Sequence, residues 1–154
     1  MTGYWDWAVV VHGREGVDAA LTKLQDEHGQ CVAYLLWAAW SAAEGRPLTG
    51  GALAAGAALA AQWEGAATGP LRMARRALKP PFPPIDDTAR TALREQVRDA
   101  EFAAERLLME TLEAMAPRLA STPADIGSAL AAAAAAWRSR APVAVLEDLA
   151  RRIS

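Results

Sequence analysis

The 154-residue chain is predicted to be all-α, a compact bundle of about five to seven helices in a single domain spanning residues 1–154. Three observations carry this reading. No segment alternates apolar and polar residues over more than a few positions, and β-branched residues are sparse. Alanine makes up about a quarter of the chain, and alanine gives up no side-chain entropy in a helix. Apolar residues recur at helical spacing between glycine and proline breaks.

Tyr4 to His12 reads as a short aromatic helix, broken at Gly13 and again by Gly16. Val17 to His28 sets Val17, Leu21, Leu24 and His28 on one face, with Asp18 and His28 matched to the helix dipole and Gly29 as a left-handed stop. Cys31 to Glu44 is apolar on every side, so it belongs at the centre of the fold. Gly45-Arg46-Pro47 is a turn. Gly51 to Leu78 is one long helix, or two joined near Gly65 and Gly69-Pro70.

Residues 79–85 form a proline-rich connector between an N-terminal and a C-terminal half, and Lys79 to Pro84 reads as extended polyproline. Asp86, Asp87 and Thr88 cap a helix that runs to Ala116, with a stripe of Leu93, Val97, Ala100, Ala104, Leu107, Leu108 and Met115. Thr122-Pro123-Ala124-Asp125 resembles a capping box with proline at the first helical position. The helix after it holds six consecutive alanines and ends near Trp137. The last helix opens at Pro142 and aligns Val143, Leu146, Leu149, Ala150 and Ile153.

A chain of this length buries enough surface to fold without staples. The net charge of −2 implies no polyanionic partner overall, but its distribution is uneven. Residues 1–64 hold seven acids and three bases, residues 72–98 three acids and seven bases, and residues 99–154 eight acids and six bases. Cys31 is the lone cysteine, which fits a reducing cytoplasm. The start, Met1-Thr2-Gly3-Tyr4-Trp5-Asp6, lacks a basic leader, and the apolar runs Gly50 to Trp63 and Gly127 to Trp137 are too short to span a bilayer. Heavy use of Ala, Arg, Gly and Pro points to a GC-rich bacterial genome.

The pattern Leu24-Gln25, Gly29, Val32, Leu35-Leu36-Trp37 and Trp40 resembles the signature of a proteobacterial family of short cytoplasmic helical proteins catalogued as a domain of unknown function. The resemblance takes in Trp5-Asp6-Trp7-Ala8, Gly16-Val17, Pro70-Leu71-Arg72, Arg75-Arg76 and Leu78-Lys79, roughly the first eighty residues. Cys31 and Ala33 stand where the family carries Asp and Asn, so no polar role passes to them. The resemblance implies a helical fold and no reaction.

The sharpest candidate site is the basic stripe Arg72, Arg75, Arg76 and Lys79, whose spacing places four cations on one helix face. Such a stripe calls for anions: an acidic protein surface, nucleic-acid phosphates, lipid head groups, or acids elsewhere in the fold. Arg90, Arg94 and Arg98 would extend it if their helix lies alongside. The aromatic group Trp5, Trp7, Tyr34, Trp37 and Trp40 either lines a ligand pocket or fills the space that small alanines leave. Glu101 and Glu105, one turn apart, either share a proton as acid and base or are surface acids flanking Arg98 and Arg106.

No catalytic residue, metal ligand set or cofactor motif emerges, since the Gly29 break separates His28 from Cys31. The expected function is therefore a protein-interaction or regulatory module that uses the basic helix against an acidic partner, with nucleic acid disfavoured. Homo-oligomerisation through the alanine-rich faces at 51–61 and 129–136 is a further expectation. The alternatives are a small-molecule binder or enzyme with a tryptophan-lined interior, and a coat on granules or membranes.

Overall fold

One helix, Val32–Ala43, runs through the middle of the molecule and touches five others. It is α3 in a chain that a computed structural model describes over residues 2–118 and 120–154; Met1 and Leu119 lie outside the described residues. α1 spans Tyr4–His12, α2 Val17–His28, α4 Gly50–Trp63, α5 Gly69–Ala77, α6 Asp87–Met115, α7 Ile126–Ala136 and α8 Val143–Ile153. A π-helical turn, Glu64–Thr68, joins α4 to α5 into one continuous rod. Counted that way the described residues form seven helices and no strand, and the all-α prediction holds.

The helix boundaries follow local chemistry. Gly29 ends α2 at φ +61, and the cap N–H returns to the Leu24 carbonyl. Thr49 caps α4 by accepting from the Ala52 N–H, and Asp86 caps α6 by accepting from the Ala89 N–H at 2.8 Å. The capping box expected at 122–125 is replaced by a simpler device. Asp125 itself is the N-cap, accepting from the Ser128 N–H at 2.7 Å, and Pro123 lies outside the helix. The connector also departs from expectation. Phe82 to Ile85 closes a turn through the Ile85 N–H and the Phe82 carbonyl, so α5 and α6 fold back on each other as a hairpin.

Every residue of α3 from Ala33 to Ala42 is buried. Around it, α1 contributes Tyr4, Ala8 and Val11, α2 Leu21 and Leu24, α7 Leu130 and Ala133, and α8 Leu146, Leu149 and Ile153. Each large side chain so buried contributes about 1.5–3 kcal/mol. Gly56 lets α4 approach this centre, because a Cβ there would lie 2.4 Å from the Trp37 ring.

The aromatic side chains also tie elements together through their polar ends. Trp40 donates to the Thr2 carbonyl, Tyr34 to Leu53, Trp137 to Gly29 and Trp63 to Ala104. The indole N–H of Trp37 meets no acceptor among the described residues.

The α6 stripe differs from the one predicted. Leu93, Ala100 and Leu107 are exposed, and the buried line is Glu101, Ala104, Leu108 and Leu112. From Asp87 to Ala100 Arg90 is the one buried residue of α6, so Leu93 has no core to enter there.

Candidate functional site

Two arrangements of polar groups stand out, and they meet at one side chain. The first is an ion-pair cluster where α5 crosses α6. Arg72 reaches Glu64 at 3.6 Å, Glu101 at 3.2 Å and Glu105 at 3.6 Å. Arg75 pairs with the same Glu101, and Arg138 closes on Glu64 at 3.1 Å. The π turn places Glu64 in this cluster, on the rod that also carries Arg72.

Arg72 and Glu101 are largely sequestered, with side chains 13% and 10% exposed. A buried carboxylate needs such partners, because desolvation would otherwise drive it neutral. Side-chain hydrogen bonding to Glu101 raises the Arg75 pKa above its ordinary value.

The basic stripe is thus divided. Arg72 and Arg75 spend their charge inside the fold, while Arg76, 55% exposed, pairs with Asp26 and Lys79 is exposed. The expected extension along α6 is not present as a free cationic face. Arg90 is buried and donates to the Leu78 and Lys79 carbonyls at 2.6 and 2.8 Å, closing the end of α5. Arg94 and Arg98 both pair with Glu95. Glu101, read as a possible surface acid, is a buried counter-ion, because its turn of α6 lies under α5.

The second arrangement is a cleft of about 310 Å³ between α1, α2, α3 and α6. Its apolar wall is built by Trp5 and Val9 of α1, Leu21 of α2, Leu36 of α3, and Phe102 and Met109 of α6. Trp5 and Phe102 meet edge to face at 5.2 Å, and the Arg106 guanidinium covers the Trp5 ring at 4.9 Å. Val9 and Phe102 are both 56% exposed, an apolar lip at the mouth.

The polar lining is His12, Asp18, Thr22, Gln25 and Glu105. His12 Nδ1 lies 3.4 Å from Asp18. Glu105 is the shared side chain: it faces the cleft and also reaches Arg72. Burial raises its pKa, Arg72 pulls it down and Glu101 pushes it further up.

Of the five aromatic candidates, Trp5 alone lines this cleft. Tyr34, Trp37 and Trp40 are fully buried and fill the core, and Trp7 is half-buried against it. The three rings on α3 are used up in packing against the surrounding helices, the space-filling alternative for the aromatic group. The sequence did not single out Val9 or Phe102, and it marked Gln25 only as part of the family signature. The signal available for Phe102 was a large apolar residue off the predicted α6 stripe.

Cys31 is buried, and burial pushes its thiol up to about 12, the condition of an inert core thiol. Among the described residues no group of three or more His, Cys, Asp or Glu is placed to hold a metal ion, and no helix is long and apolar enough to cross a membrane.

No curated protein and no solved structure matches the chain. The family described as Protein of unknown function (DUF2390) matches residues 3–112, which runs from α1 almost to the end of α6, beyond the first eighty residues, and leaves out α7 and α8. With the greater part of its length so matched, the chain belongs to this family.

Proposed function

We propose that the protein is a binding module whose cleft between α1, α2, α3 and α6 takes a small, largely apolar ligand. The observation that supports this is the cleft itself. It has a volume at the lower end of ligand sites, about 300–1,000 Å³, with an apolar wall, a few convergent polar groups and one carboxyl of raised pKa. A bacterial cytoplasm suits this reading, since a single buried thiol stays reduced there.

The test uses the neutral dye N-phenyl-1-naphthylamine. Its emission should rise on adding the wild-type protein and should stay at the buffer level with the variant Val9→Phe/Thr22→Phe, which fills the cleft from two exposed positions. Equal emission from both proteins overturns the reading.

A second reading keeps the basic helix as a docking surface for an acidic protein. It draws support from the outward end of α5, where Arg76 and Lys79 remain accessible. Arg72 and Arg75 take no part in it, because Glu101 occupies them. Arg76→Glu with Lys79→Glu should abolish partner recovery in a pull-down from the native host; unchanged recovery removes this reading.

A further inference from the structure

Resting on the cleft reading, we propose that the ligand is an organic monocation, an alkyl- or arylammonium. Its apolar body would lie along Trp5, Val9 and Phe102, and its charged head would meet Glu105 and Asp18.

Charge complementarity within a built cavity points to this ligand class. The side chains lining the cleft include two acids, Asp18 and Glu105, and no lysine or arginine. His12, the one other titratable side chain in the lining, already faces Asp18 at 3.4 Å. The arginines beside the lining already have partners. Arg72 divides its guanidinium among Glu64, Glu101 and Glu105, and Arg106 lies over Trp5 and bonds Glu110 at 3.0 Å.

Glu105 therefore holds a carboxylate against an apolar wall with one shared cation at 3.6 Å. Burial is the chief cause of its raised pKa, Glu101 adds to it, and Arg72, His12 and Arg75 offset it in part. A cation entering from the cleft side adds to that offset. An anion would meet two carboxylates, and a neutral ligand would leave Glu105 as it is.

The wall fits the remainder of such a molecule. The Trp5 and Phe102 rings stand nearly perpendicular, at 83°, so the cleft offers ring faces as well as edges. Ring faces attract ammonium groups as well as alkyl chains. Arg106 over Trp5 shows that this indole already accommodates a cation. Gln25 and Thr22 supply hydrogen-bonding groups for the N–H bonds that the carboxylates leave over.

The experiment compares three probes of equal length, octylammonium, 1-octanol and octanoate, by quenching of tryptophan emission in the full chain at neutral pH. In the wild type, octylammonium should bind about tenfold tighter than octanol, with octanoate weakest. Glu105→Gln should bring octylammonium to within about twofold of octanol while leaving octanol unchanged, and Asp18→Asn should give a smaller loss in the same direction.

Octylammonium and octanol of equal affinity in the wild type overturn the cation assignment and leave the cleft reading standing. Octanoate binding tightest also overturns it. Failure of all three to bind removes the cleft reading itself. Because the three-probe comparison is made on the wild type, the assignment stays testable even where Glu105→Gln does not fold.

Discussion

In α3 every residue from Ala33 to Ala42 is buried, whereas no residue of α5 is. The two helices are held by different forces. α3 lies among Tyr4, Leu21, Leu130 and other apolar side chains, and its cohesion is removal of surface from water with close packing. α5 lies on α6 through Arg72, Arg75 and the buried Glu101, and through the Arg90 guanidinium on its last carbonyls. The first kind of contact is non-directional and is not screened by salt. The second depends on a few atoms, on ionisation and on screening. One molecule thus carries an apolar centre and an electrostatically fastened arm, and the candidate cleft touches both systems, with Leu36 of α3 on its wall and Glu105, a partner of Arg72, in its lining.

The largest test of this contrast is Trp37→Ala. It should cost about 3–5 kcal/mol, because a fully buried ring pressed against Gly56 leaves a cavity that α4 cannot fill. Urea unfolding measures it, and a loss below about 1 kcal/mol would mean that α3 is not the support described.

Next comes Glu101→Gln, which takes the ion-pair partner from Arg75, leaves Arg72 with Glu64 and Glu105 alone, and should cost about 2 kcal/mol. Hydrogen exchange locates the damage: amides of α5 should lose protection while those of α3 keep theirs. Equal loss in both helices would erase the distinction between arm and centre.

Asp86→Ala removes the N-cap of α6 at the base of the arm and should cost about 1 kcal/mol, read from the same urea midpoints.

The smallest effect concerns Glu105. Its folded pKa is raised above the ordinary 4.5, with Arg72 and Arg75 of α5, Glu101 of α6 and His12 of α1 around it. The protonated form is therefore favoured by folding. That contribution is fully present below 4.5 and is lost as pH rises through the raised value. As the pH falls from neutrality, the wild type should gain stability relative to Glu105→Gln. A gap in urea midpoint that stays constant with pH would contradict this.

Much of this architecture was legible in residue order. The α2 end at His28-Gly29, the all-round apolar α3, the long rod with a fault near Gly65 and the last helix from Val143 all follow from short-range signals: glycine at positive φ, side-chain period and caps. Less of the candidate site could be read. Trp5 was named among five aromatics, but nothing local distinguishes it from Trp37; the difference is that α1 lies at the edge and α3 in the middle. Glu105 was noticed as a neighbour of Glu101, yet its proximity to Arg72 and to the cleft depends on how the arm folds back.

The amino-acid sequence by itself determined the class of the fold, the breaks between helices and which helix must be buried, because propensity, capping and periodicity act within a few residues of each other. The tertiary structure alone decided the fate of the charged side chains. Arg72, Arg75 and Arg76 share one face of α5 by spacing, but the turn at Phe82–Ile85 brings Glu101 beneath the first two and leaves Arg76 and Lys79 outward. Coulomb attraction and desolvation depend on distances between residues far apart in the chain, and those distances exist only once it has folded.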